Sequence, residues 1–293
     1  MRLKKSLTIG AMALAGALAL SGCTDSGSTG SQAPEVDAEA TFEAGTTMAA
    51  LNEAGTITIG TKYDQPLFGL ADLEGNPQGF DVEIGKIIAA ELGITEDKIK
   101  WTETVSANRE PFIQNGDVDL VIATYTINDT RKQVIDFAGP YYEAGQDLLV
   151  LAGNPDKIEG PESFKSDPNL KVCTVTGSTS LTNISAYTAN VLQAETYSAC
   201  LEPLRNGEVS AVTTDNVILA GLADQNPDEF EVLDKPFTAE PYGIGLKKGD
   251  DAFRTFINDT LEASFEDGRW ADAWEATAGK VLETPEPPAV DRY

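Results

Sequence analysis

Apolar residues fall along this chain in short blocks whose period switches between two and about 3.6. Ile57–Thr61 (ITIGT) alternates apolar and small polar residues as a strand does. Asp81–Gly93 (DVEIGKIIAAELG) then sets Val82, Ile84, Ile87, Ile88 and Leu92 close to helical spacing and stops at a glycine. KIKWTET (98–104) reads as a second strand, ANREPFIQNG as a short helix beginning near Ala107, and the continuous apolar run Val118–Thr124 (VDLVIAT) as a buried strand. Strands and helices alternating in this order predict a largely parallel sheet covered by helices.

The pattern then restarts. Leu170–Val175 (LKVCTV) is a strand, LTNISAYTANVL (181–192) a helix, and AETYSACLEPLRNGEV a strand edge followed by another helix. Ser210–Asp215 (SAVTTD) is again a strand, running into the helix VILAGLADQ. Tyr242–Asp250 (YGIGLKKGD) and the amphipathic helix behind it return to the first half. The predicted fold class is α/β with two lobes, each a mostly parallel sheet flanked by helices, hinged by two crossing strands near Leu148–Ala152 and Pro236–Glu240. Lobe 1 is discontinuous, over 46–148 and 241–282, and lobe 2 spans 149–240. Such an arrangement places its ligand at strand C-termini, in the cleft between lobes.

The termini carry a different message. Residues 1–22 have the layout of a secretory signal, with Arg2, Lys4 and Lys5 followed by a short, mostly apolar run from Leu7 to Leu20. The run ends in Leu20-Ser21-Gly22-Cys23, which resembles the bacterial lipobox, where the cysteine takes the lipid. An ordinary signal peptide with an incidental cysteine is the alternative. Residues 23–45 are polar, acidic and Gly/Ser-rich, as a lipidated flexible tether would be, and 283–293 (ETPEPPAVDRY) reads as a loose, acidic, Pro-rich tail. No segment between them reaches roughly 18 consecutive apolar residues. The body is therefore expected outside the membrane, exported and anchored to its outer face through Cys23. An oxidising compartment makes the remaining pair, Cys173 and Cys200, a candidate disulfide, with two separate buried thiols as the alternative.

Charge and composition narrow the chemistry. The 293 residues hold 47 Asp and Glu against 21 Lys and Arg, and no histidine. The net charge is −26, and losing the three cations of residues 1–22 takes it to −26 − 3 = −29. Nucleic acid and anionic lipid would both repel that surface. Without histidine there is no Ser-His-Asp or Cys-His catalysis and no ordinary zinc site, so no metal and no cofactor is expected.

What remains is a set of polar residues at the predicted strand ends. Lys62, with Tyr63, follows the first strand, and Ser106 and Arg109 follow the second. Thr124 and Thr126 close the third and lead to Arg131. Thr179 lies in the GSTS turn of the second lobe, and Asp215 ends a later strand. Arginine supplies the planar fork that an α-carboxylate wants, and an aspartate the ionised acceptor that an α-ammonium wants. Two further cations would match a second carboxylate. The rim therefore suggests an acidic amino acid. Taken singly each residue has a plainer reading: a solvated helix arginine for Arg131, a surface pair with Glu103 or Glu110 for Arg109, a turn lysine for Lys62 and a helix N-cap for Asp215.

GFDVEIGKIIAAEL (Gly79–Leu92) resembles the signature of the family 3 extracellular solute-binding proteins of ABC importers, and RKQVIDFAGPYY (Arg131–Tyr142), GSTS and TTDN resemble further blocks of that family. GTKYDQP, TYTIN and YGIGLKK are similar to the glutamate-binding lipoproteins of actinobacteria. The resemblance covers roughly residues 55–280 and implies a periplasmic-binding-protein-like fold (type II) whose lobes close on a small polar ligand. It also implies roles. Arg131 would grip the α-carboxylate with Thr124, Thr126 and Thr179, Asp215 would take the α-ammonium, and Lys62, Ser106 and Arg109 would hold a side-chain carboxylate. Tyr63 or Tyr142 would cover the ligand's methylenes. Lysine rather than arginine at position 62 and the missing histidine depart from the pattern of acidic-amino-acid binders.

The expected function is a membrane-tethered receptor that captures L-glutamate, or aspartate, and hands it to ABC permease subunits, with a monomeric body and no enzymatic activity. Rival readings are a receptor for glutamine or another polar amino acid, a dehydratase on the same fold, and a tethered sensor that feeds no importer.

Overall fold

The computed structural model describes residues 34–293. The signal segment, Cys23 and the tether as far as residue 33 lie outside the described residues.

Two five-stranded sheets, one per lobe, carry the architecture. In the first lobe the spatial order is Ile99–Glu103, Ile57–Thr61, Leu120–Val121, Glu240–Leu246, Asp136–Ala144; the first three strands are parallel and Glu240–Leu246 is antiparallel to both its neighbours. The second lobe repeats the plan with Val191–Ala194, Val172–Val175, Ala211–Asp215, Gln146–Leu151 and Phe230–Val232, again three parallel strands and then two antiparallel junctions. The type II two-lobed α/β fold expected from the sequence is the one present. Each parallel junction is bridged by a helix, because parallel neighbours need a crossover.

Helix Phe80–Glu91 shows how local sequence sets an element. Gly79, at φ 133°, turns the chain in, Asp81 and Glu83 sit in the first turn where the helix dipole favours anions, and Ile84, Ile87 and Ile88 are buried. Gly93 at φ 75° ends it, with its N–H on the Ala90 carbonyl and that of Ile94 on Ala89. The helix leans on a cluster of aromatic rings: Phe68, Phe80, Tyr142, Tyr242, Trp270 and Trp274 meet mostly edge-on. The sulfurs of Cys173 and Cys200 are bonded, tying a second-lobe strand to the helical turn at Ser198–Cys200.

Four expectations need correction. The first crossing lies at Gly145, since Gln146–Leu151 already pairs with Ala211–Asp215 and so belongs to the second sheet; the boundary at 148 is too late. The run 118–124 pairs as a strand only at Leu120–Val121, because Thr124 takes a left-handed φ of 44° and breaks the extended run. Helix 181–192 stops early: it spans Thr179–Ile184, and Val191–Ala194 is the edge strand the second sheet requires.

The ends, finally, are docked. Residues 34–45 belong to the body, with the Asp37 N–H on the Ala90 carbonyl and Phe42 edge-on to Phe256 at 5.6 Å. In the tail, the Tyr293 hydroxyl accepts the Phe137 N–H, its ring lies between Lys132 and Arg254, and the Asp291 N–H reaches the Gly139 carbonyl. Polar composition suggested solvated ends, but rings and backbone groups offered by the first lobe capture them. No helix among the described residues is long and apolar enough to cross a membrane.

Candidate functional site

Every expected ligand residue lies at the facing edges of the two lobes, and all but the half-buried Thr179 are buried. Lys62 leaves the first strand and is only 3% exposed; its Nζ donates to Ser106 Oγ at 2.8 Å. Arg109 opens helix Arg109–Asn115 and spends Nε on the Ser106 carbonyl and one terminal nitrogen on the carbonyls of Ala123 and Thr124, at 3.1–3.2 Å. Its guanidinium also lies 4.3 Å from the ring centre of Tyr125, and that of Arg131 lies 4.8 Å from the same ring. One tyrosine thus serves as platform for both arginines.

Arg131 is not a solvated helix arginine. It sits in the short helix Asp129–Lys132, capped by the Asn128 side chain, and is 7% exposed. Its Nε donates to Glu110 Oε1 at 2.9 Å, one terminal nitrogen to the Thr126 carbonyl at 2.7 Å, and the other across the cleft to the Gly177 carbonyl at 3.3 Å. Thr126 and Thr179 approach to 3.4 Å between hydroxyls, also across the cleft. Asp215 ends its strand in the second lobe and accepts the hydroxyl of Tyr242, on the first lobe, at 2.7 Å. Asp64 adds a clasp, accepting the Tyr197 N–H at 3.0 Å. The lobes are therefore closed on each other.

Closure needs room, and two glycines provide it. A Cβ on Gly177, itself at φ 78°, would stand 2.8 Å from Ala107 Cα, and one on Gly221 would stand 2.7 Å from the Pro66 carbonyl oxygen. Both contacts join one lobe to the other.

Burial shapes the charges. Loss of water pushes the Lys62 ammonium down to about 7, helped by Arg109 and opposed by Asp64 and Asp81. Burial also pushes Asp215 up to about 7, with the charge of Glu240 next in weight. Arg131 is lowered by burial and then by Arg109. An anion placed among Lys62, Arg109 and Arg131, and a cation beside Asp215, would restore what water no longer supplies.

Three contributors were not expected from sequence. Asp81 is fully buried; its carboxylate accepts the Thr124 N–H at 2.8 Å and the Tyr141 hydroxyl at 2.6 Å, which holds Thr124 in its unusual φ. An aspartate on the same helical face as Ile84 and Ile88 was a legible signal. Gln65 accepts the Thr124 hydroxyl at 2.9 Å, and its Nε2 has no partner among the described residues. Tyr125 lay in plain view between Thr124 and Thr126. Of the two tyrosines expected to cover a ligand, Tyr63 is half-buried beside the cleft segment, whereas Tyr142 stacks on Trp274 at 4.9 Å in the aromatic cluster. Among the described residues no grouping of three or more Cys, Asp or Glu could hold a metal ion.

Residues 57–276 match the family described as bacterial extracellular solute-binding proteins, family 3. The chain belongs to that family. Among relatives of this family-3 protein, the ABC transporter glutamine-binding protein GlnH of Bacillus subtilis is 38% identical, over 93% of this chain and 97% of the relative. The glutamate-binding protein GluB of Corynebacterium efficiens is 41% identical, over 77% of this chain and 80% of the relative. In structure, the solute receptor for L-cysteine of Neisseria gonorrhoeae superposes with a TM-score of 0.74 at 30% identity, covering 81% of this chain and 96% of the other. In this family-3 solute-binding protein the candidate ligand residues lie where both lobes meet.

Proposed function

We propose that this solute-binding protein is the amino-acid receptor of an ABC importer and that its ligand is L-glutamate. The observation that carries the choice of ligand is the buried cation group: Lys62, Arg109 and Arg131 share one desolvated cleft with the carboxylate of Asp215 opposite them. An amino acid with two carboxylates and one ammonium matches that inventory. Arg131 with Thr126 and Thr179 takes the α-carboxylate, Asp215 the α-ammonium, and Lys62 with Ser106 and Arg109 the side-chain carboxylate; Thr124 shapes the cleft between them. Relatives named for glutamate and for glutamine both support an amino-acid ligand, and a lysine at position 62 favours the acid over the amide. Closure excludes water, which strengthens each charged contact. In this reading each of these residues holds the ligand, Lys62 and Asp215 as counter-charges rather than as acid and base, and the protein binds and releases without chemistry. Cys23 carries the lipid that keeps it at the membrane's outer face, and replacing Cys23 by Ala should release it into the medium.

Calorimetric titration of the chain from residue 24 onward with glutamate, aspartate, glutamine and asparagine tests the reading. Glutamate should bind at least about 10-fold tighter than glutamine, about 1.4 kcal/mol. Arg131→Ala should weaken glutamate by about 100-fold or more, since it strands a buried carboxylate. A preference for glutamine would overturn the assignment of Lys62, and unchanged affinity in Arg131→Ala that of Arg131.

A further inference from the structure

Two buried carboxylates, Asp215 and Glu240, feel each other's charge where the lobes meet, and each has one oxygen without a hydrogen-bond partner among the described residues. Glu240, on the strand that returns from the second lobe, is 2% exposed. Its Oε1 accepts Asn183 Nδ2 and Thr238 Oγ1, both at 2.9 Å, while Oε2 accepts no hydrogen bond. Asp215 is 4% exposed, with Oδ2 on the Tyr242 hydroxyl and Oδ1 without a donor. Glu240 and Tyr242 are two apart on one strand and so share a face. Glu240 also lines an inter-lobe cavity of about 660 Å³ together with Thr126, Arg131 and Thr179, residues of the ligand site.

No lysine or arginine among the described residues forms an ion pair with either carboxylate. Arg109 and Arg131 draw Asp215 toward ionisation, yet Arg131 is occupied by Glu110 and Arg109 by backbone carbonyls. The remaining titratable groups that sense Asp215 are hydroxyls: Tyr242 on the returning strand, Tyr142 on the crossing strand and Tyr197 in the second lobe. Two like charges, both out of water, strongly disfavour each other. Asp215 belongs to one lobe and its partner Tyr242 to the other, so closure is what completes its burial.

We propose that Glu240 is a specificity-determining residue that acts through Asp215: the two carboxylates together require one positive charge at Asp215, so the lobes close fully only on a ligand that brings an α-ammonium. Glu240 touches no ligand atom in this scheme; it is a positioning residue, and it raises the cost of closing on an anion that lacks the amine. The proposal rests on the glutamate reading for its choice of probe, and it makes a claim about closure that holds whatever the ligand. A proton on Asp215 substitutes for the ammonium. Closure raises the proton affinity of Asp215, so the closed form binds more protons and gains as pH falls through about 7.

The test uses the chain from residue 24 onward with one dye on each lobe, as wild type and as Glu240→Gln, which keeps the acceptor facing Asn183 and Thr238. Without added ligand, and with Lys62→Met in both so that the Lys62 ammonium does not titrate in the same range with the opposite sign, the closed fraction should rise about threefold or more from about pH 8 to about pH 5.5 where Glu240 is kept. Glu240→Gln should be more closed at the higher pH and respond less. Calorimetry with glutamate and with glutarate, the same diacid without its amine, gives the second readout. The wild type should prefer glutamate by about 1,000-fold or more, and Glu240→Gln should narrow that gap by about 10-fold. With Lys62→Met in place and Glu240 kept, a closed fraction that ignores pH overturns the proposal, and that measurement stands even if Glu240→Gln fails to fold. An unchanged glutamate-to-glutarate ratio in a folded variant overturns it too. Failure of glutamate to bind, with closure still pH-responsive, sinks the ligand reading and supports the role of Glu240.

Discussion

At the scale of single residues, the proposed site sets charges against loss of water. Lys62 is the clearest case: it is buried, its Nζ donates to the Ser106 hydroxyl, and its ammonium is destabilised to about 7. A side-chain carboxylate supplies the missing counter-charge and a carboxamide does not. Lys62→Met should therefore cost glutamate about 10-fold to 100-fold in affinity and leave glutamine nearly unaffected, as calorimetry with both ligands would show. Asp81 permits a prediction in pH. Burial raises its carboxyl to about 7, against 3.8 as the ordinary value. The folded chain therefore binds more protons than the unfolded one between those values, and the stability due to this group falls as pH rises toward about 7. Asparagine can still accept the Thr124 N–H, so Asp81→Asn should gain in melting temperature relative to wild type at about pH 8 compared with about pH 5. A difference that does not change with pH would show that Asp81 is not the group responsible.

At the scale of elements, the helices of the second lobe are fitted to the first lobe as well as to their own sheet. Gly221 lies inside helix Asn216–Asp224, where glycine is a poor helix former, and its bare Cα lets Pro66 approach. Gly221→Ala should raise or preserve the melting temperature while weakening glutamate by about 10-fold or more. Loss of affinity together with a large drop in melting temperature would contradict the reading of this contact as a closing surface. The tail makes the complementary case. Tyr293 joins the edge strand Asp136–Ala144 to Lys132 and Arg254, and Arg292 pairs with Asp259 and Glu262 on the long C-terminal helix. The Arg292 pairs are exposed and contribute little. Tyr293→Ala should lower the melting temperature by a few degrees, about 1 kcal/mol of lost ring contact, whereas Arg292→Ala should hardly move it. Equal effects in the two variants would show that the ring is not what holds the tail.

At the scale of the whole molecule, the proposed function depends on two lobes whose charged residues are buried where they meet. Each lobe brings part of the set, with Lys62, Arg109 and Arg131 on one side and Thr179 and Asp215 on the other. The sequence by itself determined the α/β repeat, the two-lobed fold and the cysteine pair, and it named eight candidate residues at strand ends, because period, strand ends and motif spacing are local properties of the chain. It could not place the first crossing, since Leu148–Ala152 reads as the same apolar run whichever sheet it joins; the antiparallel pairing with Ala211–Asp215 decided that. Nor could it see that the polar ends would dock, or that Tyr125 would carry two arginines, because those contacts join residues far apart in sequence or on different elements. Thr124 shows the boundary most plainly. Its position at a strand end was legible, but its left-handed φ comes with a hydrogen bond from its N–H to Asp81, forty-three residues earlier. Charge and pattern along the chain named the groups, and tertiary burial decided which of them would be left needing a ligand.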